Sequence, residues 1–107
     1  MLRIILINQL FALKNKISIG ATLLAHALYE TNLYSDQAEL PEGLFNTLSV
    51  EEIKMAAPIL FAEYGDELRT LLEELARARV IEVPSCPING NKIFYNFGEK
   101  YDEYFLY

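Results

Sequence analysis

The chain has 107 residues, which is the size of one domain and leaves no room for a second. Hydrophobic residues make up 52% of it, a high share for a small soluble protein, so we expect part of the apolar surface to be buried against a partner. The formal net charge is −6 at pH 7, although residues 1–29 contain Arg3, Lys14 and Lys16 and no acidic residue. Most of the remaining surface is therefore expected to repel phosphate.

The N-terminal residues predict neither a membrane span nor a secretory signal. The apolar run at 4–7 ends at Asn8 and Gln9, far short of the ~20 residues that cross a bilayer, and no small-residue cleavage site follows it. Because Cys86 is the single cysteine, a disulfide within the chain is impossible and a reducing compartment is the simpler expectation, with a Cys86 pair between two chains as the alternative. We therefore expect a cytoplasmic protein without membrane contact.

Two helices are predicted before residue 33. The apolar residues of positions 2–16 follow helical spacing but spread almost all round, which indicates a helix buried on several sides, with an edge strand at 3–7 as the alternative. Ser18 is a plausible N-cap for a second helix within residues 17–32. The apolar face of that helix is formed by Leu23, Leu24, Ala27 and Leu28.

Residues 33–47 predict a long loop, because the apolar pattern dissolves there and the turn residues Asp36, Pro41 and Gly43 appear. Leu44 and Phe45 are expected to pin this loop to the core.

The clearest predicted helix start is at Ser49. Ser49 and Glu52 have the spacing of a capping box, while Leu48 and Ile53 occupy the positions of a hydrophobic staple. Pro58 must end this helix or begin a new turn, and after a break at Gly65 we expect a helix capped by Asp66. One face of that helix is expected to be buried, namely Leu68, Leu71, Leu72 and Leu75.

The residues after this helix predict a β-hairpin. The run 80–83 is β-branched, Pro84 and Pro87 favour a loop or an edge position for 84–91, and Asn89–Gly90 fits the turn. A second strand then follows around residues 93–97.

The chain resembles the helix-turn-helix and wing of winged-helix domains over about residues 48–97. The resemblance lies in the order of three segments, LSVEEI, LRTLLEELARARVIEV and NGNKIFYNF. By the resemblance, the helix at 18–32 is the first of a trihelical core. The chain departs from the family pattern in the inserted PILFAEYG and in Arg79, which occupies the place of a helix-terminating glycine. The resemblance implies a duplex DNA partner, with the long helix in the major groove and the wing on phosphates.

Charge opposes that implication and favours a protein partner with a basic surface. The 66–79 helix carries four acidic and three basic residues, and the wing adds only Lys92. The buried leucine face leaves a candidate partner-binding surface on the helix and wing, made of Glu67, Thr70, Glu74, Arg77, Asn89 and Lys92. DNA binding stays the alternative if a dimer brings together Arg69, Arg77, Arg79 and Lys92.

No catalytic, cofactor or metal motif is found in the sequence. His26 is the single histidine and is far from Cys86 along the chain, and the adjacent acid pairs do not point together on a helix. No phosphate-binding, dinucleotide, nucleophile-elbow or zinc spacing occurs. We therefore expect a protein without enzymatic activity and without a cofactor.

The C-terminal tail contains a candidate dimer interface made of Tyr101, Tyr104, Phe105 and Tyr107. These aromatic side chains either pack back on the helices or form a subunit interface together with the first helix. The sequence thus predicts one α+β domain over 1–107, mainly helical, with a winged-helix-like core at 18–97 and terminal elements at 1–15 and 98–107 for a homodimer. Regulators, assembly adaptors and phage-encoded inhibitors that mimic nucleic acid are all compatible with an acidic domain of this kind.

Overall fold

A computed structural model describes residues 6–106, apart from the side chains of Leu6, Ile7, Tyr34 and Leu106. The fold is α+β, as predicted, with helices packed against a five-stranded antiparallel sheet. The helices are α1 Gln9–Lys14, α2 Ile19–Thr31, α3 Val50–Ala56, α4 Pro58–Tyr64, α5 Leu68–Arg77 and α6 Tyr101–Tyr104. The strands are β1 Leu6–Ile7, β2 Asp36–Leu40, β3 Gly43–Ser49, β4 Ile81–Glu82, β5 Ile88–Asn89, β6 Lys92–Phe97 and β7 Phe105–Leu106.

The first helix is shorter and more exposed than predicted. It begins only after Asn8, whose side-chain oxygen accepts a hydrogen bond from the Phe11 N–H at 3.1 Å, and the two residues before Asn8 form β1. None of the α1 residues is fully buried, so the expected burial on several sides is wrong for this helix. An Asn cap fixes the start of a helix, and the β-branched residue before it extends as a strand instead. Positions 1–5 of this prediction lie outside the described residues.

Helix α2 forms as predicted. The Ser18 hydroxyl accepts a hydrogen bond from the Ala21 N–H at 3.2 Å and caps the helix. Leu24, Ala27 and Leu28 are buried, while Leu23 is half-buried.

The predicted loop at 33–47 is wrong. A 3₁₀ turn at Asn32–Tyr34 leads into β2, which pairs with β3 as a tight hairpin with Leu40 opposite Gly43. Pro41 and Glu42 form the turn, so the loop signal at Pro41 and Gly43 marks only the end of the hairpin. Strand β2 carries mainly polar and acidic residues and was not recognisable as a strand from its own pattern. Phe45 is buried as expected, whereas Leu44 is 54% exposed.

The cap at Ser49 is confirmed. The Ser49 hydroxyl accepts a hydrogen bond from the Glu52 N–H at 3.1 Å and lies 3.2 Å from the Glu52 carboxylate. Pro58 begins the new helix α4, where its missing N–H costs nothing. The predicted cap at Asp66 is wrong, because a 3₁₀ turn at Gly65–Glu67 runs into α5 without a side-chain cap. The four leucines of α5 are buried as predicted.

The sheet has the order β2-β3-β6-β4, and β5 also pairs with β6. The predicted hairpin between 80–83 and 93–97 is confirmed by the pairing of β4 with the end of β6. Strand β5 is a short additional strand in the segment predicted as loop or edge, and it pairs with the start of β6 with Asn89 opposite Lys92. The turn between β5 and β6 is Gly90–Asn91, one residue later than predicted. Gly90 has φ +63°, which matches the first turn position that type II′ hairpins reserve for glycine.

The two termini are joined within the chain. Strand β1 pairs with β7 in a separate two-stranded ribbon, and the Asn8 N–H donates to the Tyr104 carbonyl at 2.8 Å. The Asn8 side-chain amide donates to the Glu103 carbonyl at 2.9 Å. The terminal elements are therefore part of the same packed unit as the rest of the fold.

The capping bond at Ser49 is expected to contribute measurably to stability. Ser49→Ala should lower the free energy of unfolding by ~1 kcal/mol, since the Glu52 N–H loses its acceptor. Urea unfolding followed by circular dichroism measures this loss. Thr70→Ala, at an exposed position of α5, is the control and should change stability by less than about 0.5 kcal/mol. Equal losses in the two variants would contradict the capping role.

Gly98 lies where the backbone after β6 crosses the turn after α5. A Cβ atom at Gly98 would lie 2.3 Å from the carbonyl oxygen of Arg79, so the two backbones would have to separate. We expect Gly98→Ala to destabilise the fold by about 1–3 kcal/mol, as overpacking does. Gly65→Ala is the matched control, because the nearest atom to its Cβ is 3.8 Å away. Similar unfolding midpoints for the two variants would contradict the close approach.

Candidate functional site

The predicted partner-binding residues of α5 do not all have the same environment. Glu67, Thr70 and Arg77 are exposed, on the side of the helix away from its buried leucines. Glu74 is only half-exposed and is directed towards the start of α2.

The Glu74 carboxylate is bound to the first residue before α2. It accepts hydrogen bonds from the Ser18 N–H at 2.6 Å and from the Ser18 hydroxyl at 3.0 Å. A carboxylate at a helix N-terminus is favoured by the helix dipole and satisfies an N–H that has no partner inside the helix. Glu74 therefore holds α5 against α2. Sequence reasoning missed this role because the two residues are 56 positions apart.

Two of the three arginines in residues 66–79 have carboxylate partners. Arg69 and Glu73 form an i,i+4 ion pair at 3.4 Å, and Arg79 binds Glu99 at 2.6 Å. Both pairs are well exposed, so each adds little stability. Their main effect is on the surface potential, because positive charge near this helix is locally balanced.

The tip of the β5–β6 hairpin lies beside the start of α3. Asn89 and Lys92 are exposed at the tip, and the Val50 N–H donates to the Asn91 carbonyl at 2.6 Å. The first turn of α3 carries two acidic residues. The single cation of the hairpin tip thus lies in a region where carboxylates are also present.

The candidate dimer residues of the tail pack inside one chain. Tyr104 is fully buried and Phe105 is 1% exposed, so neither side chain is available as a dimer surface. The Tyr104 hydroxyl donates to the Thr22 hydroxyl at 2.9 Å, and burial raises the pKa of this tyrosine. Tyr101 is half-buried, and Tyr107 lies outside the described residues.

The aromatic rings of the tail contact other rings of the core. The Tyr104 ring lies 5.9 Å from that of Phe11, and the Phe105 ring lies 4.9 Å from that of Tyr29. Of the two predicted alternatives, a subunit interface or packing on the helices, the described residues of the tail therefore adopt the second. Aromatic content alone could not decide between core and interface, because both environments favour these side chains.

The turn at Arg79 has the geometry of a glycine position. Arg79 has φ +64°, its N–H donates to the Ala76 carbonyl, and the Val80 N–H donates to the Leu75 carbonyl. This pair of bonds is the Schellman motif, in which glycine is the usual residue. The expectation that Arg79 occupies a helix-terminating position is confirmed.

A groove of ≈ 580 Å³ lies beside Arg79 and Glu99, between the β2–β3 turn and the residues after α5. At its rim the Glu42 carboxylate accepts a hydrogen bond from the Ser85 hydroxyl at 2.6 Å, which lowers the pKa of Glu42. Glu42, Arg79 and Glu99 in this groove thus have partners within the chain.

The residues considered for catalysis are not assembled into a site. His26 is half-buried on α2, where burial lowers its pKa and the Glu30 carboxylate opposes that effect. Cys86 is exposed in the loop between β4 and β5. Among the residues that the structure describes, no group of three or more His, Cys, Asp or Glu side chains is placed to hold a metal ion. Nor does any helix in residues 6–106 have the length and apolar character to cross a membrane.

Comparison with known proteins identifies no relative. No protein-family model matches the chain, and no curated protein or solved structure is significantly similar to it.

Because the backbone at Arg79 is left-handed, glycine substitutions at Arg79 and at Arg77 are expected to change the free energy of unfolding differently. Arg79→Gly should leave stability unchanged or raise it by up to about 1 kcal/mol, because glycine relieves the positive φ while the exposed ion pair lost is weak. Arg77→Gly, at the last residue of α5, should lower stability by up to about 1 kcal/mol, because glycine is a poor helix former. Paired urea unfolding curves measure both changes, and a larger loss for Arg79→Gly than for Arg77→Gly would contradict the backbone argument.

Proposed function

We propose that the protein is a winged-helix-like module that acts through protein–protein contacts and has no catalytic activity. The element order supports this assignment. Helix α2 packs against α3, α4 and α5, and a central strand, β6, pairs with β3 on one side and with β4 and β5 on the other. In this arrangement α5 corresponds to the long helix of the resemblance and the β5–β6 hairpin to its wing.

The charge around α5 is the observation that carries the proposal for a protein partner. Two of the three arginines in residues 66–79 are paired with carboxylates of this chain, Arg69 with Glu73 and Arg79 with Glu99. The exposed carboxylate of Glu67 lies at the start of the same helix. With these two cations neutralised and Glu67 exposed, the surface offers little attraction to the closely spaced phosphates of duplex DNA and leaves a carboxylate for a protein with a basic groove.

The proposed contact residues are the exposed members of the predicted set. They are Glu67, Thr70 and Arg77 on α5 and Asn89 and Lys92 on the hairpin. Glu74 supports this surface from behind by fixing α5 to the start of α2. We propose a regulatory or adaptor role in the cytoplasm. A phage-type inhibitor with an acidic surface is one example of a protein with such a role.

Duplex DNA is the second candidate, favoured by the winged-helix-like element order itself. The Arg69 and Arg79 ion pairs are exposed and weak, so phosphates could replace the carboxylates if other cations converge. Binding of a basic protein requires the carboxylates of this surface, whereas binding of duplex DNA requires Arg77 and Lys92.

The experiment compares two probes by amide chemical-shift mapping at low salt. One probe is a lysine-rich peptide and the other is a mixed-sequence DNA duplex. We expect the peptide to shift amides of α5 and the hairpin tip, with an affinity that falls as salt rises. Glu67→Gln combined with Glu73→Gln should weaken peptide binding about threefold or more, because two carboxylates of the surface are removed.

The matched control is Asp36→Asn combined with Glu39→Gln, which removes the same charge from the exposed strand β2. It should leave peptide binding close to that of the wild type. Equal losses in the two double variants would indicate attraction to net charge alone and would contradict a binding surface on α5. Micromolar duplex binding that Arg77→Ala with Lys92→Ala weakens would establish the DNA alternative instead.

A further inference from the structure

Most of the strongly exposed apolar side chains lie on α2 and on the helices next to it. Seven large hydrophobic side chains in the described part of the chain are strongly exposed, and five of them lie on α1, on α2 itself or on the α3 and α4 helices that contact α2. They are Leu10 and Leu13 on α1, Ile19 at the first turn of α2, and Met55 and Ile59 on α3 and α4. Their exposed fractions range from 68% to 83%, which leaves each side chain almost wholly in water.

Two grooves separate these side chains and meet at one residue. A groove of ≈ 460 Å³ between α1 and α2 is lined by Leu13, Ile19 and Leu23. A second groove of ≈ 250 Å³, between α2 and the α3–α4 junction, is lined by Leu23, His26 and Ile59. Leu23 therefore lies between two apolar grooves. The exposed Leu13 and Ile19 line one groove, and the exposed Ile59 lines the other. Surface patches of this character mark interaction sites in soluble proteins.

The charges around this face have opposite signs at its two ends. Lys14 and Lys16 are exposed at the end where α1 meets α2, and Glu30 is exposed near the other end of α2. Lys16 and Glu30 each lie seven positions from Leu23 along the chain. Because Lys16 precedes the first turn of α2 and Glu30 lies in its last turn, an antiparallel two-fold arrangement centred on Leu23 would place the lysine end of one copy against Glu30 of the other. Self-complementarity of this kind is what an interface between two identical copies requires.

We propose that the outer face of α2, with Leu23 at its centre, is the surface through which two copies of this chain form an antiparallel homodimer. Leu23 packs against its own counterpart, the exposed Ile19 and Ile59 enter the grooves of the second copy, and Lys16 pairs with Glu30 across the axis. The acid-free stretch of residues 8–29 is the part of this net-negative chain where two copies approach with least repulsion. This proposal is independent of the proposed function, because the α5 and hairpin residues lie outside this face.

The packed tail gives the face its shape. Tyr104 holds α2 through its bond to Thr22, and its ring contacts Phe11 of α1. These contacts fix α1 beside α2 and so form one wall of the larger groove. The C-terminal aromatics thus serve a dimer indirectly, by positioning α1, rather than by lying in the interface.

Sedimentation velocity on the full chain tests the apolar part of the proposal. The wild type should show a concentration-dependent monomer–dimer equilibrium up to about 500 µM. Ile19→Glu should raise the dimer dissociation constant about tenfold or more, because it places a carboxylate in the apolar groove of the second copy. Leu44→Glu is the matched control, since Leu44 is an exposed apolar residue on β3 away from this face, and it should dimerise like the wild type.

Charge reversal tests the antiparallel arrangement. At low salt, Lys16→Glu alone and Glu30→Lys alone should each raise the dissociation constant about threefold or more, and the double variant should recover most of the loss. Thermal unfolding by circular dichroism confirms that each variant is folded. Because the lost affinity returns only if the two positions meet across the axis, misfolding cannot produce this pattern.

Four results would overturn the proposal. A wild type that stays monomeric throughout the concentration range would assign the face to some other partner. Dimers that Ile19→Glu does not weaken, or that Leu44→Glu weakens equally, would place the interface elsewhere. A double charge variant without recovery would reject the two-fold pairing of Lys16 with Glu30. Shifts of Ile19 and Leu23 methyl groups on adding vesicles of zwitterionic and anionic lipid, with no dimer, would instead assign the face to a membrane surface.

Discussion

The pairing of β6 with the other strands is the constraint on which the rest of this fold depends. Strand β6 pairs with β3 along one edge and with β5 and β4 along the other, so it connects the sheet. Its three consecutive residues Ile93, Phe94 and Tyr95 are buried, which means that both faces of the strand are covered. Continuous burial of this kind is typical of a central strand rather than of an exposed hairpin. The hairpin is therefore an integral part of the core and only its tip is free to contact a partner.

Tyr95 connects this strand to the helical layer. Its hydroxyl donates to the Leu28 carbonyl at 3.3 Å and lies 3.3 Å from the Asn32 side-chain oxygen, both near the end of α2. Burial raises the pKa of Tyr95, so the phenol stays protonated and keeps its donor. Glu74 holds the opposite end of the same helix through Ser18. Helix α2 is thus fixed at both ends, by β6 and by α5, and its outer face is left uncovered.

This arrangement separates two kinds of surface. Around α5 the exposed groups are mainly charged, and two of the arginines, Arg69 and Arg79, are balanced by Glu73 and Glu99. Around α2 the exposed groups are mainly apolar, and the charged residues lie at the ends. A charged surface influences the rate and salt dependence of association, whereas an apolar surface supplies affinity when it is buried. We propose that the domain associates with itself through the apolar surface and with a second protein through the charged one.

The sequence by itself determined the features that depend on neighbouring residues. Ser18 and Ser49 cap helices because a hydroxyl and an N–H three residues later are placed by the chain alone, and the leucine spacing fixed which side of α5 is buried. Pro58, Gly90 and Arg79 occupy the positions that their backbone geometry indicated, within one residue. Only the tertiary structure decided the rest, because those features join residues far apart in sequence. The polar strand β2 exists because β3 supplies its hydrogen-bond partners, Glu74 is turned from the surface by Ser18, and Tyr104 is buried because Thr22 and Phe11 receive it. No local pattern contains these partners, so no reading of periodicity or charge could have placed them.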